Sequence, residues 1–191
     1  MSSKGFRERI LEIDQDGPAL TNSLVQTTLL PTASKTAASP LGYFDKPAQR
    51  IIFEFSGRIS TFVTTPGTLD LSIKVGTVLA FISLPMPLNI VAKVNVHWQF
   101  GGELVNRGYG SGSGTTLFPK GCYFRSEAVI GSPLPSAGGS GMLLLPFNVP
   151  PALGLGFDNG SAQLIDLFGT WSVANAANSI QLQAGHIDVY T

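Results

Sequence analysis

Two histidines, one cysteine and a scatter of serines and carboxylates are the side chains of this 191-residue sequence that could do chemistry. His97 and His186 each fall inside an alternating, strand-like segment, on its polar face. Asp188 follows His186 at i+2, so on a strand the two share a face and the carboxylate can orient the imidazole. A zinc site needs further ligands at matching strand positions, and neither histidine has such a set beside it. Both histidines are expected to be solvated or interface side chains. Gly110-Ser111-Gly112-Ser113-Gly114 carries the letters of a nucleophile elbow, but that motif needs a strand before it and a helix after it. Here Thr115-Thr116-Leu117-Phe118-Pro119 follows, which is not helical. Glu54 and Glu103 could meet across a sheet as the carboxylates of a glycosidase do, yet no sequence feature selects them. Phosphate-loop, dinucleotide and EF-hand patterns are absent. No catalytic, cofactor-binding or metal-ligating residue is assigned, and the chain reads as a non-enzyme.

Composition narrows the partners. Charged residues make up 13% of the chain and sum to zero net charge, about half the usual charged share. No cluster of lysine or arginine offers the counterion release that nucleic-acid binding needs, so no nucleic acid is expected. A surface with so little charge favours association. Cys122 stands alone, which precludes an internal disulfide, and it is expected to be a small buried side chain. Met1 to Asp16 lacks the apolar core of a signal peptide. The longest apolar runs, such as Val78 to Ile82, are too short to cross a bilayer. Synthesis in the cytoplasm and no membrane partner are the expectations.

Any site must be positioned by strands, because the chain alternates with a period of two from Arg50 onward and carries 22 glycines and 13 prolines as turn formers. Ile51, Phe53 and Phe55 alternate with Ile52, Glu54 and Ser56. After a turn signal at Thr65-Pro66-Gly67, Leu69, Leu71, Ile73 and Val75 alternate with polar residues, and Gly76-Thr77 predicts a tight hairpin to Val78–Leu84. Ala92, Val94, Val96, Trp98 and Phe100 define one face of the next strand. Gly101-Gly102 predicts a two-residue hairpin loop, with Glu103 to Tyr109 returning. Residues 110–114 read as a flexible connection, Cys122 to Ile130 as a strand, 131–141 as a loop, and Met142 to Val149 as a buried or edge strand. Gln163 to Val173 buries Ile165, Leu167, Trp171 and Val173. The last strand, Asn178 to Thr191, slips phase at Gly185, which predicts a bulge there. Trp98 and Trp171 are in phase with aliphatic neighbours and are expected in the core. Eight to ten strands at these spacings predict an all-β fold, a jelly roll or related β-sandwich spanning 51–191.

Residues 1–50 differ from this body. Seven of the 24 charged side chains lie within the first sixteen residues. Phe6, Ile10 and Ile13 have the spacing of a helical face, so the segment predicts a short helix or an extended arm. Residues 27–40, rich in Thr, Ala, Ser and Pro, suit a loop or arm without its own core.

The opening Met1-Ser2-Ser3-Lys4-Gly5-Phe6-Arg7 resembles that of tailed-bacteriophage virion structural proteins. So do Ser56 to Thr61 leading to Pro66-Gly67-Thr68-Leu69-Asp70-Leu71, and Trp171 to Ile180. Several members of that group are capsid decoration, or cement, proteins with jelly-roll-like folds. The resemblance implies a structural role on a virion, with the major capsid protein as partner and a homo-oligomer, trimer or dimer, as the working form. It implies no catalytic residue and no cofactor. In this reading Phe6, Arg7, Arg9, Ile10 and Ile13 on the arm are the candidate assembly contacts, and deletion of residues 1–40 is expected to leave the body folded while abolishing shell binding. A tail, baseplate or fibre component and a carbohydrate-binding β-sandwich are the alternatives.

Overall fold

Alternation along Arg50–Thr61 buries every second side chain, and the same pattern repeats through the chain to build two antiparallel sheets packed face to face. The computed structural model describes residues 6–36, 38–39, 44, 46–62, 67–108, 112, 114–131 and 140–190. Its strands are β1 Arg7–Ile13, β2 Leu20–Thr21, β3 Thr27–Thr28, β4 Ala38–Ser39, β5 Arg50–Thr61, β6 Thr68–Val75 and β7 Val78–Ile82. They continue with β8 Met86–Pro87, β9 Lys93–Gly108, β10 Thr116–Ile130, β11 Ser140–Leu144, β12 Gln163–Trp171 and β13 Ser179–Tyr190. One short 3-10 turn, Thr32–Thr36, interrupts them. The larger sheet runs β1-β13-β5-β9-β10-β11 with β2 beside β13, and the smaller runs β3-β12-β6-β7 with β4 beside β12 and β8 beside β6. The all-β sandwich expected from the periodicity is the observed fold.

Between the sheets lies an aromatic core. Phe53 and Phe55 of β5 and Phe81 of β7 converge on Phe100 of β9, with ring centroids 5.0, 6.3 and 6.0 Å from it. Trp98 and Trp171 are both fully buried, as expected. Each indole N–H is satisfied: Trp98 Nε1 donates to the carbonyls of Arg58 and Gln181 at 3.1 and 3.2 Å, and Trp171 Nε1 to Leu20 at 3.0 Å. Losing a ring of this size from such a core costs about 3–5 kcal/mol. The β6–β7 hairpin closes on Gly76-Thr77 as predicted, with Val75 opposite Val78.

Four local expectations are corrected. Phe6, Ile10 and Ile13 do not form a helix: Arg7–Ile13 is a strand paired antiparallel to β13. The register shifts between Arg9 and Leu11, and that bulge at Ile10 produced the helix-like spacing. Gly101-Gly102 is not a hairpin loop. It lies in the middle of β9, a continuous 16-residue strand flanked by β5 and β10 on either side. The bulge in β13 falls between Leu182 and Ala184 rather than at Gly185. The phase of β9 also changes near its start, where Asn95 has φ +51°, and Val94 consequently stands exposed. Thr65-Pro66, most of the 110–114 connection and positions 132–139 of the predicted loop lie outside the described residues.

Described parts of the first fifty residues lie against both sheets. β1 and β2 pair with β13, β3 pairs with β12, and Gly17 N–H donates to the Leu182 carbonyl at 2.8 Å. Leu11, Ile13, Leu20, Leu29, Leu30 and Phe44 are buried in the common core.

Candidate functional site

The outward face of the larger sheet gathers the chemistry-bearing side chains. The bulge at Ile10 in β1 and a second between Lys120 and Tyr123 in β10 bring the strands into matching rows. One row crosses Arg9, Asp188, Ile52, Glu103 and Lys120; the next crosses Glu12, His186, Glu54, Gly101 and Tyr123; a third crosses Arg7, Tyr190, Arg50, Val105 and Phe118. Residues from the sequence extremes thus share a surface with residues from its middle.

Asp188 is the centre of the first group. Arg9 Nε donates to Asp188 Oδ1 at 2.9 Å, and Arg7 Nε and Nη2 both donate to Oδ2, the former at 2.9 Å. Arg9 also pairs with Glu12, and His186 Nε2 lies 3.6 Å from Asp188 Oδ2. The guanidiniums cover Asp188 so well that its side chain is 1% exposed although it points away from the core. Burial alone would push its pKa up. The hydrogen bonds from Arg9 and Arg7 and their charges outweigh that and hold it below the ordinary carboxylate value. In return Asp188 raises the pKa of both guanidiniums, chiefly through the same hydrogen bonds.

The second group surrounds the two glycines of β9. A Cβ at Gly101 would lie 2.8 Å from Tyr123 Oη and 2.9 Å from Cζ, so the phenol ring lies across the glycine on the outer face. A Cβ at Gly102 would lie 2.6 Å from Cys122 Cα. The glycines are therefore a seat for the β10 bulge. Ile52, Glu54, Glu103, Lys120 and Tyr123 line a 320 Å³ surface cavity there. Burial raises the Tyr123 pKa, Glu54 adds to the rise and Arg125 opposes it. Glu103 Oε2 accepts from Arg50 Nη1 at 3.2 Å and Lys120 Nζ at 3.5 Å, which makes it the hub of an ion-pair network.

The third group continues along the sheet. Arg107 lies 5.1 Å over the Phe118 ring, and Arg7 and Arg50 lie 5.7 and 5.2 Å from the Tyr190 ring centre. Arg50, Val105, Arg107, Phe118 and Lys120 line a 630 Å³ cleft walled by Pro47 and Ala48.

The five arm residues divide. Arg7 and Arg9 bind Asp188, Ile13 is buried, Ile10 packs against the core, and Phe6 is exposed. His186 and Asp188 do share a face; His97 is exposed and lies opposite Arg58. Glu54 and Glu103, a pair the sequence allows without selecting, both line one cavity. Arg50, Arg107, Lys120 and Tyr123 were missed, and the signal that could have found them is strand register, set by two bulges. Cys122 is buried with its pKa pushed up to about 12 by that burial. Among the described residues no cluster of three or more His, Cys, Asp or Glu could hold a metal, and no helix is long and apolar enough to cross a membrane. No protein-family model, no curated protein and no solved structure matches this chain.

Proposed function

We propose that the protein is a structural component of a bacteriophage virion: a decoration, or cement, protein that binds and stabilises the capsid shell as a homo-oligomer, with a trimer favoured. The observation that carries this reading is the number of large apolar side chains left exposed on a protein of low charge. Leu144 and Met142 on the edge strand β11 are 69% and 55% exposed, and Leu155 and Leu153 nearby in sequence are 64% and 54% exposed. Val149, Leu153 and Leu155 border a 360 Å³ apolar cavity with Pro119, Pro146 and Pro150. Apolar side chains left in water on this scale favour cover by another surface. The charged face of the larger sheet adds a means of setting orientation, since complementary charge fixes register more than affinity. The role needs no reacting group.

Mass spectrometry of purified virions tests the reading. Copies in the hundreds per particle support a capsid location, a dozen or fewer support a tail location instead, and absence from particles refutes both. Deleting residues 1–40 is a poor probe of binding, because it removes Leu11, Ile13, Leu20, Leu29 and Leu30 from the core. The paired change Leu144→Asp and Leu155→Asp alters exposed positions only. It should leave the fold intact and lower particle occupancy.

A further inference from the structure

We infer that the cleft bounded by Arg50, Arg107 and Lys120 is an oxyanion-binding site, suited to a phosphate or carboxylate group. Three cations and no acid line it, and Glu103, in the neighbouring cavity, pairs with two of the three. Arg50 and Lys120 both direct a donor to the same Glu103 oxygen, which leaves their other N–H groups uncommitted to an acid. Arg107 has no carboxylate partner among the described residues; its guanidinium is held over the Phe118 ring. A guanidinium placed on a ring face keeps its in-plane N–H fork free, and that fork matches the two oxygens of a carboxylate or phosphate. Val105 and the half-buried Phe118 line the cleft beside the cations, and such apolar neighbours strengthen the attraction for an incoming anion. The 630 Å³ volume admits an anion with a substantial group attached. In a chain of zero net charge, a local excess of cations around an open cleft is a property of the register, because β5, β9 and β10 each contribute one. The site stands whether or not the chain is a virion component.

Titration of the full-length ¹⁵N-labelled protein at low ionic strength tests it, with inorganic phosphate in one arm and a short aspartate-rich peptide in the other. The expected result is saturable shifts of the amides around Arg50, Arg107 and Lys120 in at least one arm, weakening as salt is added. Saturation by phosphate alone assigns a phosphate group, and saturation by the peptide assigns a carboxylate-bearing partner. Arg107→Ala should weaken binding by about tenfold or more. Arg107→Lys, which keeps the charge but not the fork, should also weaken it. Arg58→Ala, a cation on the same sheet outside the cleft, should leave it unchanged. Lys120→Ala serves as the second variant should Arg107→Ala lower folding stability. Linear, unsaturated shifts in both arms, or wild-type affinity in both Arg107→Ala and Lys120→Ala, would overturn the assignment.

Discussion

Arg9 Nε sits 2.9 Å from Asp188 Oδ1, joining the first strand to the last across 179 residues of sequence. Arg7 reaches the other oxygen of the same carboxylate. The pairing tells an outward-pointing but fully covered acid from an ordinary solvated one. Its role is to hold β1 on the sheet edge, where a strand would otherwise rely on few buried contacts.

Removing that charge should be costly. Asp188→Asn is expected to destabilise the fold by about 1–3 kcal/mol at pH 7, since hydrogen bonds to a charged acceptor are lost. The pH dependence has a definite sign. A carboxyl whose pKa is lowered by folding contributes fully above its ordinary value of 3.8, and the contribution disappears as pH falls through the lower folded value. Urea melts of the two proteins should therefore converge in acid. Parallel stability curves from pH 7 down to the acid limit would show that Asp188 is not the anchor.

The glycine pair in β9 should tolerate side chains unequally. Gly102 has φ +153°, and an added Cβ meets Cys122 backbone, which cannot retreat. Gly102→Ala should cost more than about 3 kcal/mol. At Gly101 the obstacle is the Tyr123 side chain, which can swing away. Gly101→Ala should cost about 1 kcal/mol and much less in a Tyr123→Ala background. Equal penalties at the two positions in thermal melts would contradict this arrangement.

Cys122 should be inert in the folded protein. Its thiol is buried, with a pKa pushed up to about 12, and only the thiolate attacks a disulfide reagent. Ellman's reagent at pH 8 should release no colour from the native chain and one equivalent after denaturation. Rapid native reaction would place the thiol at the surface.

Asp70 offers the opposite electrostatic case. Among the described residues its Oδ1 is buried without a donor, and burial raises its pKa. The ionised form therefore weakens the fold at neutral pH, and the penalty fades as pH falls through the raised value. Asp70→Asn should raise Tm at pH 7, and the gain should shrink as the pH is lowered. A Tm at or below wild type under those conditions argues for a partner to the charge.

What could be read from sequence follows from the range over which each signal acts. The Gly76-Thr77 hairpin and the Ile165, Leu167, Trp171 face of β12 depend on neighbours within a few residues, and both are present. Cys122 and Trp98 announce themselves by phase with adjacent apolar residues. Gly101-Gly102 misleads because its reason lies some twenty residues on, in the ring of Tyr123 and the backbone of Cys122. The helix-like spacing of Phe6, Ile10 and Ile13 misleads because one bulge residue breaks the strand period. Asp188 looks solvated in its own segment, and it is the distant Arg7 and Arg9 that pair with it and help to cover it. The cationic cleft was hidden for the same reason: no local run of charge exists, and three separate strands supply one cation each.

The opposition of Arg7 and Tyr190 has one more outcome. The first described strand begins and the last described strand ends at the same corner of the larger sheet. A tether between those two strand ends could make a circularly permuted chain, opened at Gly76-Thr77 instead.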